Sequence, residues 1–474
     1  MTPDELDELH RTDSPQAEEE REQFDEDNRL RAEFVRSVAH ALAEGNDARV
    51  YELVEPLHAA DIADLFELLE RDERAPLARA ISDLMTGEVI AELNDHVRDD
   101  MVEDLPPEAV AEIADQLETD DAVQLIEDLE PAEQAAILAE MEPEGRAAVE
   151  SALAYPEETA GRLMQRDLVA VPEHMTVGDL IDYLRDNGDL TTEFWEVFIV
   201  DPQHKPVGTC QLSWILRTPR AIPLTDVMKR EQTLIPVSMD QEEVALQFQK
   251  YALISAAVVD ESGRLVGQLT VDDIVHIIQE EADEDVMLLS GAGDGDINEP
   301  IREAYGARVR WLIANMLTAA VASSIIATFE DTIAKMVALA TLMPIVAGIG
   351  GNAGTQTLAV TVRALATNQL TASNAWRAVR RELGIALMNG GTVAVIIGVV
   401  VTLLFHDPLL GMVIAMAMMT NILVAGLAGV LVPLTLERLK ADPAISSSIF
   451  VTMTTDSMGF LAFLGLATVS GLVS

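Results

Sequence analysis

The chain has one cysteine, Cys210, in 474 residues, so no intrachain disulfide can form. Its place in an apolar, strand-like run marks it as a small core residue. Basic residues are scarce: 31 Lys and Arg stand against 81 Asp and Glu, for a net charge of −50. Such a balance repels nucleic acid and attracts cations. No apolar segment follows a basic one at the N-terminus, so no cleavable signal peptide is expected. No nucleophile–base pair, zinc-spaced His/Cys set or phosphate-binding glycine loop is visible, so an enzyme is not expected.

What is present divides into two halves. From Gly306 onward there are nine Lys/Arg and seven Asp/Glu, a net +2, which leaves about −52 on residues 1–305. Yet 49% of the chain is hydrophobic. The front is an acidic soluble half and the back a membrane half. General adaptation to high salt, a halophilic background, explains most of the acidity, so each acid is by default a solvated charge.

Residues 1–30 form an acidic tail too poor in apolar groups to fold, and disorder is expected there. Residues 31–155 read as helical, with apolar residues at spacings of three and four. Leu105, Leu117, Leu129, Met141 and Leu153 recur every twelve residues. Each unit reads as an N-cap or first-turn proline, two helical turns and a closing apolar residue, and such short helices must stack into a right- or left-handed superhelix. The acids at unit starts (Glu108, Asp120, Asp121, Glu133, Glu144) suit helix N-termini.

Residues 156–282 alternate strand-like runs with helices, and the segment repeats once. The first copy has Leu168–Pro172, a helix over Val177–Arg185, then Val197-Phe198-Ile199-Val200-Asp201. The second has Leu234–Val237, a helix over Gln241–Lys250, then Ala257-Val258-Val259-Asp260 and Arg264-Leu265-Val266-Gly267, ending in Thr270-Val271-Asp272-Asp273. This resembles a tandem pair of cystathionine-β-synthase (CBS) modules. CBS pairs imply regulation by adenosyl nucleotides or metal ions, and dimerisation. Thr270 and Asp273 would suit a ribose, whose hydroxyls a carboxylate accepts from, which makes ATP a candidate ligand. Residues 283–305 then lead toward the membrane from an acidic helix with five acids among Glu280–Asp285. These acids repel one another, and a divalent cation would relieve that repulsion.

Residues 306–474 hold five apolar runs: Trp311–Phe329, Met336–Val362, Leu383–Phe405, Pro408–Leu436 and Pro443–Ser474. Each can cross a hydrocarbon core of roughly 30 Å. Basic residues lie before the first run and in the second and fourth connections. The positive-inside rule therefore places the N-terminal half in the cytoplasm and the C-terminus outside.

Asp456 is the only charged residue from Pro443 to Ser474. A carboxylate at membrane depth costs a few kcal/mol and faces a wet cavity or a partner. Its neighbours are hydroxyls and Gly459, which favours a cation site over a capped structural carboxylate. In the second run, Pro344 and Gly348 should bend the helix, and Gly350, Gly351 and Gly354 permit close packing. Asn352 and Gln356 add polar amides, and a loosened helix there would turn carbonyls to a water-filled path.

The chain as a whole, from about residue 35, resembles the MgtE family of magnesium channels and transporters. The motifs that carry this are Pro344…Gly350-Gly351-Asn352-Ala353-Gly354-Thr355-Gln356, Arg363-Ala364-Leu365-Ala366-Thr367, Asp442-Pro443-Ala444 and Asp456-Ser457-Met458-Gly459. The resemblance implies an α-helical superhelical N-terminal domain, an α/β tandem CBS pair, a linking plug-type helix and an all-α transmembrane domain of five spans. It implies a homodimer with one pore on its axis. Asp456 is then the ion-selecting carboxylate, donated twice, accompanied by Gly351, Asn352, Gly354 and Thr355, with Asp442 at the cytoplasmic pore mouth. Mg²⁺ holds its waters tightly, so few direct protein ligands are expected. Intracellular Mg²⁺ would close the pore by bridging acids at Glu88, Asp120, Asp273, Glu281, Glu284 and Asp285. Gln124 and His276 stand where the family often has acids, Ala252 follows Tyr251 where Asp is usual, and Arg162 replaces a second glycine after Gly161. The resemblance thus implies a sensor holding fewer or weaker ions. Two rival functions are a transporter of another divalent ion such as Co²⁺, and a membrane-anchored CBS sensor that conducts nothing.

Overall fold

The computed structural model describes residues 23–103, 105–127, 129–186, 194–291, 295–444 and 447–472. Most of the acidic tail lies outside them. The chain forms two compact units, Met1–Ile277 and Ile278–Ser474.

The first unit begins with short amphipathic helices. They are α1 (Ala32–Ala43), α2 (Asp47–Val54), α3 (Ala59–Leu68), α4 (Arg71–Ala80), α5 (Gly87–Ala91) and α6 (Asp95–Glu103). The repeat region follows as α7 (Pro107–Ala114), α8 (Thr119–Glu127), α9 (Pro131–Glu140) and α10 (Pro143–Leu153). Pro107, Pro131 and Pro143 each stand at the first helical position, where the missing N–H is not needed. Glu108, Asp120, Asp121, Glu133 and Glu144 fall in first turns, beside free N–H groups. The twelve-spaced residues close the helices: the Leu105, Leu117 and Leu129 amides donate to Val102, Ala114 and Ile126 at 2.9, 3.3 and 3.3 Å. Of the five only Met141 is fully buried, and Leu105 is exposed. The core comes instead from residues inside the helices, such as Leu65, Phe66, Leu77 and Ile126. Each such side chain contributes about 1.5–3 kcal/mol on burial.

After α11 (Ala160–Leu163), two equivalent three-stranded sheets form. The first has β1 (Ala170–Pro172), β2 (Glu196–Val200) and β3 (Pro206–Gln211); the second has β4 (Leu234–Pro236), β5 (Ser255–Val259) and β6 (Leu265–Thr270). In each, the first strand runs parallel to the second and the third antiparallel to it. β2 and β5 are buried on both faces, which explains their unbroken apolar runs. Asp201 and Asp260 recur in the two copies because each carboxylate caps its hairpin, accepting from backbone amides two and four residues on. The copies also exchange edges. Gln165 pairs with Gln268 of β6 and Lys229 with Thr209 of β3 through reciprocal backbone bonds of 2.8–3.0 Å. That approach needs glycine beside it: a Cβ at Gly267 would lie 2.8 Å from the Gln165 carbonyl, and one at Gly208 2.9 Å from that of Lys229. Between the strands lie α12 (Val177–Asp186), α13 (Leu212–Arg217), α14 (Leu224–Val227) and α15 (Gln241–Tyr251), and from β6 the chain enters α16 (Val271–Ser290) without a break.

Among the described residues the second unit holds five helices long and apolar enough to cross a membrane. They are α17 (Ile301–Ala327), α19 (Ala338–Ala366), α20 (Ala375–Phe405), α21 (Pro408–Arg438) and α22 (Ser447–Val469), with the short α18 (Glu330–Lys335) after the first. α21 is the central helix, packed on α19, α20 and α22; its core side chains include Ile414, Ala417 and Met418. α17 is the least covered, with Leu312, Met316 and Leu317 exposed. The expected loosening of the second span is absent: α19 continues through Pro344 and Gly348. A proline removes only one N–H, and neighbouring side chains can satisfy backbone groups freed near it. The carbonyl that Pro344 leaves without its helical donor is that of Ala340; two residues past the proline, Asn421 Nδ2 of α21 donates to the Val346 carbonyl at 2.9 Å.

Candidate cation sites

Asp456 lies near the middle of α22, between Thr455, which is fully buried, and Ser457. Its side chain lines a cavity of about 420 Å³ together with Ser448 and Thr452 of the same helix. Trp311, Asn315, Thr318 and Ala319 of α17, Met453 of α22 and Ser290 of α16 complete the wall. Its polar part is one carboxylate among hydroxyls and an amide, its apolar part Trp311, Ala319 and Met453, and no basic residue faces it among the described residues. Among the described residues no group of three or more His, Cys, Asp or Glu side chains could hold a metal ion. A lone carboxylate in a cavity of this size suits a cation that keeps most of its water shell.

The glycine-rich stretch of α19 does not line that cavity within this chain. Gly354 is buried, and a Cβ there would meet Val451 Cγ1 at 2.6 Å and Thr455 Cγ2 at 3.4 Å. It serves close helix packing. Asn352 and Thr355 are exposed, and Thr355 Oγ1 donates back to the Gly351 carbonyl at 3.0 Å. Gln356 lines a second cavity of about 160 Å³ with Arg381, Glu382 and Asn389. Glu382, which the sequence reading treated only as a charge, is buried. It accepts from Arg381 Nη1 at 2.5 Å and from Thr357 Oγ1 at 3.5 Å. Asp442 Oδ1 accepts from the Ala444 amide at 2.6 Å and so shapes the turn before α22. The same carboxylate bears on Asp285: burial first, then the Asp442 charge, raises the Asp285 carboxyl above its ordinary range.

A second candidate site lies within the first unit, where the start of α8 meets the start of α16. Glu118, Asp120 and Asp121 come from the first element, Asp272 and Asp273 from the second. Gln165 ties them: its Nε2 donates to Glu118 Oε2 at 2.5 Å, to Asp273 Oδ2 at 3.0 Å and to Thr270 Oγ1 at 3.4 Å. Thr270 Oγ1 donates to Asp273 Oδ2 at 2.6 Å. Burial, then the charges of Asp273, Asp121 and Asp272, pushes Glu118 up to about 7. Burial pushes Asp273 up to about 6, against the Thr270 hydrogen bond that lowers it. Asp120 is raised well above the carboxylate range, by burial and then by Asp273. Its Oδ1 is buried and accepts from no described residue. Asp121 is raised by burial, in part offset by Arg98. The donors are all oxygens, one of them orphaned, and too much negative charge is held in too little water. A proton or a hard divalent cation relieves both defects.

Of the expected sensor acids, Asp120 and Asp273 meet in this cluster. Glu88 is exposed in the first turn of α5, and the acid from that region acting on Asp121 is Glu92. Glu281, Glu284 and Asp285 lie on the half of α16 that belongs to the second unit. Sequence reasoning missed Glu118 and Gln165. A signal existed for Gln165: Met164-Gln165 and Met228-Lys229 hold the same place in the two copies. The Thr270–Asp273 pair, read as a ribose clamp, is here engaged with itself and Gln165, so a ribose would have to displace that amide.

Five helices long and apolar enough to cross a membrane, behind an acidic half of short helices and two like three-stranded sheets, define a multi-pass membrane protein. Residues 343–466 match the family model for divalent cation transporters of the MgtE type, residues 57–158 match the MgtE intracellular N domain, and residues 160–210 and 224–280 match CBS domains. The magnesium transporter MgtE of Bacillus subtilis is 32% identical over 323 residues, 68% of this chain and 71% of the relative. That of Thermus thermophilus is 33% identical over 329 residues, 68% and 72% respectively. The chain belongs to the MgtE family. Among solved structures, the cytosolic domain of the Mg²⁺ channel MgtE in complex with ATP is 29% identical with a TM-score of 0.47, over 51% of this chain and 99% of that one. The soluble part of a magnesium transporter is 24% identical with a TM-score of 0.46, over 53% and 98%.

Proposed function

We propose that this protein imports Mg²⁺ across the cell membrane down its electrochemical gradient and is closed by cytosolic Mg²⁺. The observation that carries the reading is Asp456, a single carboxylate facing a 420 Å³ polar cavity among spanning helices. The names of the relatives from Bacillus subtilis and Thermus thermophilus support Mg²⁺ as the cargo. Hydrated Mg²⁺ is held through its waters, with charge and cavity size selecting it. The lightly covered face of α17 supports a homodimer in which two copies of Asp456 share one path. The distribution of Arg and Lys between the spans supports a cytoplasmic soluble half and an extracellular C-terminus. In the closed state a hydrated Mg²⁺ ion bridges Asp120 and Asp273, holding the helical domain to the CBS pair. Glu281, Glu284 and Asp285 with Asp442 extend the same control to the pore mouth. ATP at the CBS pair is an additional ligand of this reading.

The test is Mg²⁺ entry into liposomes that contain only the purified protein. Entry that falls when millimolar Mg²⁺ bathes the soluble half supports the whole reading. Entry that Co²⁺ outcompetes replaces Mg²⁺ as cargo, and no entry of any divalent ion leaves a non-conducting sensor.

A further inference from the structure

Asn421 sits within α21 and is wholly buried. Its Nδ2 donates to the Val346 carbonyl of α19 at 2.9 Å, while its equally buried Oδ1 accepts from no described residue. The amide fills a notch between two glycines on two other helices. A Cβ at Gly350 of α19 would stand 2.0 Å from Nδ2, and one at Gly459 of α22 would stand 2.6 Å from the same atom. One turn along α19, Gly354 packs against Val451 and Thr455 of α22 and Ala425 of α21.

Thr455 and Gly459, four residues apart, therefore share the face of α22 turned into this seam. Asp456 is rotated about 100° from Thr455 around the helix axis. The depth and angle of the seam thus decide where Asp456 points. A buried amide with an unmade bond is destabilising, and close packing alone does not require one. An apolar side chain would fill the notch without that cost.

We propose that Asn421 is a positioning residue for the pore carboxylate. Its bond to Val346 and its wedge between Gly350 and Gly459 set the rotation of α22, so that Asp456 faces the cavity. That Asp456 meets Mg²⁺ there rests on the proposed function; the positioning itself does not.

The experiment reads the orientation of position 456 directly, in the full-length chain. Cys210→Ala removes the only native thiol, and Asp456→Cys places one on the cavity wall. Its rate of modification by a charged, water-soluble methanethiosulfonate is measured alone, with Asn421→Ala, with Gly459→Ala and with both. Each single substitution is expected to slow modification about tenfold, and the pair to recover to within about threefold, because the new methyl at 459 occupies the space the amide vacates. Equal rates in all four proteins overturn the proposal, as does a double variant as slow as Gly459→Ala alone. Mg²⁺ entry by the wild type is followed in parallel. Its absence defeats the transport reading and leaves the labelling rates to decide on Asn421.

Discussion

The acidic cluster between α8 and α16 should make contact between the helical domain and the CBS pair depend on pH, and Glu118→Gln should remove the Glu118 share of that dependence. Holding Glu118 at about 7 against an ordinary 4.5 opposes its ionised form by roughly 3 kcal/mol at full value, and by about 1–2 kcal/mol once solvent screening is allowed for. The docked form binds the proton more tightly than the undocked form. Its extra stability is therefore complete below pH 4.5 and is lost as pH rises through 7. Asp273, raised to about 6, adds to the loss in the same direction. Hydrogen exchange of the segment around Gln165, corrected for intrinsic rates, should accelerate about 5- to 30-fold between pH 5 and pH 8 without divalent ions. Millimolar Mg²⁺ at pH 8 should restore protection. Glu118→Gln keeps a side chain that can meet Gln165 but carries no charge, so its pH profile should be shallower, retaining only the part set by Asp273 and Asp120. A profile as steep as wild type would refute the assignment of repulsion to this cluster.

Three further outcomes follow from particular contacts. Gly267→Val drives a side chain against Met164 and the Gln165 carbonyl, and should destabilise the CBS pair by about 1–3 kcal/mol in denaturant unfolding. Asp285→Asn removes one of two facing charges, since burial and Asp442 raise the Asp285 carboxyl. The docked helix end should then no longer lose protection as pH rises above the carboxylate range, read by hydrogen exchange over Val271–Ser290. Gly354→Leu forces α19 from Val451 and Thr455, and should lower the thermal stability of the detergent-solubilised protein by about 1–3 kcal/mol.

Much of the architecture was legible because it follows from periodicity. The five spans needed only apolar length, and the CBS copies showed themselves through Val-Asp hairpin caps at Asp201 and Asp260 whose geometry demands a short acceptor. The twelve-residue repeat was real, and its closing residues sit at turns, so Leu105 can lie exposed while Met141 is buried. Pro344 does not interrupt α19, because backbone groups freed at a proline can be satisfied by the surrounding helices. Asp456 was visible as a lone charge in an apolar run. The partners that give the sites meaning were not. Gln165 reaches residues 47 and 108 positions away, a distance that no local pattern encodes. Asn421 looks like one polar residue among methionines until the two glycines that frame it are placed in space.

The central claim is that Asp456 is the carboxylate through which Mg²⁺ passes. The most direct measurement is Mg²⁺ entry into proteoliposomes, with an indicator inside and low Mg²⁺ on the soluble half, for wild type, Asp456→Ala and Asp456→Glu. The account predicts robust entry by wild type, a fall of about a hundredfold or more with alanine, and partial entry with altered ion preference for glutamate. Equal entry by wild type and Asp456→Ala would contradict it.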